Sequence, residues 1–159
     1  DLKKSMIEEE HFETALDIMK NSKAEIILPD DFLVSKDINE NGENCDLGNI
    51  SDGYACFDIG EKTTIRIIDT IKNAKTLLWN GALGAFEFAN FNKSSNIITK
   101  FIADQTKNAE LISVIGGGET VASIGNYKAD MSFVSTAGGA FLEFVAGYKL
   151  PGVEALKNN

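Results

Sequence analysis

Leu111-Ile112-Ser113-Val114-Ile115-Gly116-Gly117-Gly118-Glu119-Thr120 decides the fold of this chain. Leu111 to Ile115 is an apolar, β-branched run closed by a turn signal, which reads as a buried strand. The glycines then lead straight into a segment predicted as a short helix over 119–125. A strand that passes through a tight turn into a helix is half of a βα unit. Outward from it the same order recurs. Thr76-Leu77-Leu78-Trp79 reads as a strand and is followed by Asn80-Gly81-Ala82-Leu83-Gly84. Residues 94–107 read as a helix that buries Ile97, Ile98, Phe101 and Ile102. Met131-Ser132-Phe133-Val134 reads as a strand, followed by Ser135-Thr136-Ala137-Gly138-Gly139-Ala140 and a helix over 139–146. Upstream, Tyr54-Ala55-Cys56-Phe57 is a strand candidate. Residues 61–74 form a helix with Ile67, Ile71 and Ala74 on one face and Ile68 beside them.

Strand and helix in alternation predict an α/β fold: a mostly parallel, Rossmann-like sheet with helices on both faces. The first third is less regular. Ser5 and Glu8 fit a capping box, and Phe12, Ala15, Leu16 and Met19 mark an amphipathic helix to about Ser22. Glu25-Ile26-Ile27-Leu28, closed by Pro29, reads as a buried strand, and Phe32-Leu33-Val34 as another. Residues 36–53 are polar and turn-rich, with Asn41-Gly42 as a hairpin signal. A β-ribbon or loop excursion near 32–53 is expected.

Composition narrows the function. The 159 residues suit a single domain. Acidic residues outnumber basic ones, 24 to 15, for a net charge of −9. That argues against a nucleic-acid partner, whose footprint is basic. No apolar run approaches the ~18–20 residues of a membrane helix, and no signal peptide opens the chain. The one histidine, His11, follows three glutamates and reads as a solvated helix face. Cys45 and Cys56 read as ordinary free thiols; with one histidine they are too few for a Cys-rich zinc site. Chemistry therefore falls to carboxylates, lysines, backbone amides or a bound metal.

In a parallel sheet, ligands bind at the carboxyl ends of the strands. Glycine lets the backbone approach a phosphate, and a helix start supplies free N–H donors. A single glycine loop is explained by tight turning alone. Three such loops on one edge favour an anionic ligand. Neither a Walker-A loop nor a GxGxxG dinucleotide fingerprint is present. Glu119 is either a Mg2+ partner or a helix-start carboxylate favoured by the dipole. Glu87 is either a ligand for sugar hydroxyls or a solvated side chain.

These loops and their flanks resemble the C-terminal domain of phosphoglycerate kinases. Residues 79–87 resemble that family's WNGPxGxFE signature, and Asp58-Ile59-Gly60-Glu61-Lys62-Thr63 its DIGPKT segment. Ile115 to Thr120 resembles IGGGDT, Val134 to Ala140 resembles VSTGGGA, and Leu150 to Leu156 matches LPGVxAL. The resemblance implies that 1–159 is part of a C-terminal nucleotide-binding domain. It implies phosphoryl transfer between 1,3-bisphosphoglycerate and ADP, giving 3-phosphoglycerate and ATP, in the cytoplasm and with Mg2+. By position, Glu87 matches the ribose-binding carboxylate and Asn80 the asparagine near the polyphosphate. Gly117 and Gly118 match backbone phosphate donors, with Thr120 beside them, and Glu119 the Mg2+ aspartate. Gly138 and Gly139 match the helix-end amides that stabilise the moving phosphoryl group. Phe57 is the expected wall of the adenine pocket.

Some positions depart from the family pattern. Glu119 is one methylene longer than aspartate. Ala137 replaces a glycine, Ala82 a proline, Cys56 a glycine and Phe133 a common histidine. The match begins only at an IGKSLVE-like segment, Leu2 to Glu8, without the N-terminal domain or the upstream lysines. The chain, which opens on Asp1 rather than Met, is therefore expected to be a fragment of a monomeric enzyme. Alone it is expected to lack turnover, to bind Mg-nucleotide at most, and to self-associate through exposed apolar faces.

Overall fold

The computed structural model describes residues 3–157; Asp1 and Leu2, at the start of the terminal match, lie outside them. Two three-stranded sheets organise these residues. Glu9–His11 forms a 3-10 turn, followed by helix α1, Phe12–Asn21. The capping box does not form: Ser5 Oγ accepts the Cys56 N–H at 2.9 Å instead. None of the α1 residues is buried, so its apolar stripe has no cover. Glu25–Leu28 is not a strand. The run has strand chemistry, but a strand exists only when a neighbouring strand takes its N–H and C=O groups; among the described residues no strand pairs with it, and the Leu28 carbonyl accepts from Arg66 Nη2 instead.

Strands β1 (Asp31–Ser35), β2 (Glu43–Asp46) and β3 (Ala55–Ile59) form an antiparallel sheet in the order β2-β1-β3. The ribbon expected near 32–53 is the β1–β2 hairpin, with Phe32 opposite Cys45 and Leu33 opposite Asn44. Gly42 serves packing in this hairpin. A Cβ there would stand 2.6 Å from Leu33 Cγ and 2.7 Å from Phe91 Cε1. The 54–57 strand, expected to open the parallel series, instead pairs antiparallel with β1.

Helix α2, Glu61–Lys72, leads to β4, Thr76–Asn80. Helix α3, Lys93–Lys107, leads to β5, Ile112–Gly116. Helix α4, Gly118–Ser123, and a 3-10 stretch lead to β6, Phe133–Ser135. Helices α5, Gly138–Val145, and α6, Pro151–Lys157, complete the described residues. Strands β4, β5 and β6 are parallel and in that order. Their register sets Asn80 beside Gly116, and Gly116 beside Ser135. Three loops thus leave one edge together.

The core lies on one face of this sheet. Ile71 of α2, Ile98 and Ile102 of α3, and Val121 and Ile124 of α4 pack with Ile115, Leu77, Trp79 and Val134. Alternation sends Leu78, Ile112 and Phe133 to the opposite face, where they are 45%, 57% and 57% exposed. Helix α5 covers that face only at the carboxyl edge, where Phe141 sits on Gly116.

Candidate functional site at the strand ends

The three glycines after β5 do three different things. Gly116 makes room for packing: a Cβ would stand 2.2 Å from the Phe141 ring. Gly117 supplies a conformation, φ +94°, that side chains rarely adopt. Gly118 faces open space, with nothing within 4 Å of a Cβ. The loop is therefore shaped by packing on one side and open on the other.

Hydrogen bonds knit the strand ends together. Asn80 Nδ2 donates to the Gly116 carbonyl at 3.0 Å, and the Gly81 N–H donates to Thr120 Oγ1 at 2.8 Å. The Gly117 N–H donates to the Ser135 carbonyl at 3.0 Å. A Cβ on Gly138 would lie 3.6 Å from Gly117 Cα, so the last glycine loop touches the middle one. The segments carrying Asn80, Gly117, Gly118, Glu119, Thr120, Gly138 and Gly139 therefore lie together at one edge of the sheet. The Gly117 N–H is already committed within it. The donors left over in this loop belong to Gly118 and the first turn of α4. Gly139, like Gly118, faces open space.

Phe57 and Glu87 belong to a second patch, joined to the first by the loop 81–88. Trp79 Nε1 donates to the Gly81 carbonyl at 2.7 Å and steadies the loop's start. Ser95 Oγ donates to Leu83 O at 2.7 Å, and the Ala85 N–H to Phe57 O at 2.7 Å. The Phe57 ring, half-buried, packs on Phe91 with centroids 4.8 Å apart. Glu87 is exposed.

Two aspartates without an assigned role turn out to be buried. Asp31 is 2% exposed. It accepts hydrogen bonds from Lys62 N at 3.0 Å, Thr63 N at 2.8 Å and Thr63 Oγ1 at 2.6 Å. It thereby caps α2, whose own N-cap residue is Gly60. Burial pushes its carboxyl up, but the bonds from Thr63 and Lys62 outweigh that and hold it below the ordinary aspartate range. Asp58 accepts from Ile59 N at 2.8 Å, Ser94 N at 3.3 Å and Ser94 Oγ. Burial raises its carboxyl against the pull of those bonds. Asp31 stands just before the apolar run 32–34 and Asp58 just after 54–57, where polarity alone reads as a solvated position.

Glu119 is exposed at the first turn of α4, and its carboxylate has no partner among the described residues. No cluster of three or more metal-ligating side chains exists among them. The described residues thus form no dedicated protein cage. One carboxylate beside open backbone donors fits Mg2+ held largely by phosphate oxygens and water. His11 lies 3.9 Å from Glu8 and 3.8 Å from Glu10, on the surface as expected. Both cysteines are free thiols. A cavity of about 840 Å3 opens elsewhere, between the β1–β2 hairpin and the starts of α2 and α3. It includes Asp58 and Ser94 but none of the site residues expected from sequence. No described helix is long and apolar enough to cross a membrane.

Comparison with known proteins places this architecture. The chain is 41% identical over 164 residues to a phosphoglycerate kinase of Methylorubrum extorquens strain PA1, covering 99% of this chain and 41% of that one. It is 47% identical over 113 residues to one from Histophilus somni, covering 70% of this chain and 29% of that one. The solved phosphoglycerate kinase of Coxiella burnetii superposes with a TM-score of 0.89 at 28% identity, covering 99% of this chain and 41% of that one. That of Pyrococcus horikoshii OT3 gives 0.78 at 31% identity, covering 93% and 36%. The chain thus spans less than half the length of each of these relatives, 41% for the first. The phosphoglycerate kinase model itself matches residues 1–148, so the strand-end loops sit in a fold of known kinship: the chain belongs to the phosphoglycerate kinase family.

Proposed function

We propose that this chain supplies the nucleotide side of the phosphoryl transfer between 1,3-bisphosphoglycerate and ADP that yields 3-phosphoglycerate and ATP, a cytoplasmic step of glycolysis. The observation that carries the reading is the joining of three glycine-bearing strand ends by hydrogen bonds among Asn80, Gly81, Gly116, Gly117, Thr120 and Ser135. In the reaction an ADP β-phosphate oxygen forms a bond to phosphorus as the acyl-phosphate P–O bond breaks, leaving a carboxylate. Such transfer asks a protein for positioning and charge stabilisation rather than a nucleophile. The N–H groups opening α4 and the Asn80 side chain bind and orient the polyphosphate. Gly138 and Gly139, at the start of α5, present N–H groups toward the transferred group. Glu87 binds ribose hydroxyls and Phe57 walls the base. Glu119 would hold Mg2+, which when bound offsets phosphate charge.

The glycerate side is proposed to come from a second domain of the same enzyme, so the 159-residue chain alone is expected to bind without turning over. Calorimetry of Mg-ADP tests this. Wild-type chain should bind at or below millimolar nucleotide, with Glu87→Ala and Glu119→Gln at least several-fold weaker. Absence of heat at millimolar Mg-ADP would overturn the binding reading. ATP formation at the rate of an intact family enzyme would overturn the two-domain reading. A specific observation also favours self-association of the isolated chain: the bare face of Leu78, Ile112 and Phe133, together with uncovered α1. Sedimentation should show species above monomer, and a clean monomer at tens of micromolar would refute it.

A further inference from the structure

We infer that Asp58 is the positioning residue for the adenosine half of this site: its buried carboxylate fastens the loop carrying Glu87 to the strand carrying Phe57. The inference rests on the nucleotide reading and deepens it. Asp58 is 5% exposed. From β3 it reaches the start of α3, accepting from Ser94 N at 3.3 Å and from Ser94 Oγ. It also accepts the Ile59 N–H at 2.8 Å, which fixes its own rotamer. Gly84 lies directly against this carboxylate. A Cβ on Gly84 would stand 2.5 Å from Asp58 Oδ1 and 2.7 Å from the Phe57 carbonyl.

Contacts from either side then hold the 81–88 loop in place. The Ala85 N–H reaches Phe57 O at 2.7 Å, and Ser95, next to Ser94, reaches Leu83 O at 2.7 Å. Ser94 and Ser95 belong to the first turn of α3. Anchoring that turn with Asp58 therefore anchors the loop that Ser95 holds. The phosphate half has its own ties, through Asn80, Thr120 and Ser135. None of them runs through Asp58. The halves meet at Gly81, whose N–H is held by Thr120; beyond that point the contacts of the loop run through Phe57 and the Asp58-anchored start of α3.

That division of contacts makes the test specific. Calorimetric affinities of Mg-ADP and Mg-pyrophosphate are measured for wild type, Asp58→Ala and Ser94→Ala, at a temperature where circular dichroism shows each folded. Wild type should prefer ADP. Asp58→Ala should weaken ADP at least tenfold while changing pyrophosphate less than twofold. Ser94→Ala keeps the carboxylate and the Ile59 bond, and should weaken ADP about threefold with pyrophosphate unchanged. That variant decides the matter where Asp58→Ala fails to fold. Equal losses for both ligands, or unchanged ADP affinity, would overturn the positioning role. Wild type binding ADP no tighter than pyrophosphate would instead overturn the nucleotide reading, and this inference with it.

Discussion

Gly60→Ala tests how α2 is capped, and its cost follows from space alone. The backbone at Gly60 is extended, φ −80° and ψ 178°, which alanine adopts freely. By restricting the unfolded chain, the change would by itself stabilise by roughly 0.4–1 kcal/mol. The added Cβ, however, would stand 2.2 Å from both Cγ and Oδ2 of Asp31. The carboxylate must leave, giving up its bonds from Thr63 Oγ1, Thr63 N and Lys62 N at 2.6, 2.8 and 3.0 Å. Loss of a side-chain N-cap costs about 1 kcal/mol. Buried polar groups left unpaired add about 1–3 kcal/mol. The net expectation is a loss of about 2–3 kcal/mol. At about 2–4 °C per kcal/mol for a domain of this size, Tm should fall by roughly 4–12 °C. Urea unfolding followed at 222 nm measures it. Asp31→Ala should cost a similar amount, because it removes the same cap. The double variant should then cost no more than Asp31→Ala alone, since the new methyl group has nothing left to strike. A Gly60→Ala loss under about 0.5 kcal/mol, or two losses that simply add, would refute the reasoning.

The same logic applies at Gly116, where a Cβ would meet the Phe141 ring at 2.2 Å. Gly116→Ala should destabilise by about 1–3 kcal/mol, and Phe141→Ala in the same chain should relieve most of the clash term, read from urea midpoints. The buried aspartates should give opposite pH signs. Asp31 is held below the ordinary 3.8, so its contribution is present above that pH and lost as pH falls through its folded value. Asp58 is held above 3.8, so its contribution is present below that pH and lost as pH rises through its folded value. Stability measured against pH should therefore lose part of its acid-side fall in Asp31→Asn and part of its fall above 3.8 in Asp58→Asn. A swap of those two limbs would refute the assignment.

Strands β4, β5 and β6 and the helices between them are legible in the sequence, because long apolar periods and glycine turns are local signals. The α3 helix and the β4 and β5 strands fall within a residue or two of their expected bounds. The strand-end loops are equally legible, since glycine marks them directly. The buried aspartates are not. Asp58 finds Ser94 36 residues away, and Asp31 finds Thr63 32 residues away. No window of helix or strand length contains both partners. Strand 54–57 is legible as a strand but its sheet is not, because pairing direction is decided by what lies beside it rather than by its own pattern.

Glu25–Leu28, α1 and the outer face of the parallel sheet carry this point furthest. Each has the apolar pattern of a buried element, and each lacks cover: Ile26 is 40% exposed, and Phe12, Leu16, Leu78 and Phe133 more so. An apolar stripe encodes a demand for burial and the face that makes it, but not the identity of what meets it. A helix can form around its own hydrogen bonds while that demand goes unmet, and α1 does. A strand cannot, because its N–H and C=O groups point sideways to a neighbour, and 25–28 is left without regular structure. The two outcomes differ although the sequence signal is equally strong. The cause is that one element closes its hydrogen bonds locally and the other does not. In a chain that spans 41% of its relatives' length, elements of the second kind are the ones sequence periodicity overstates.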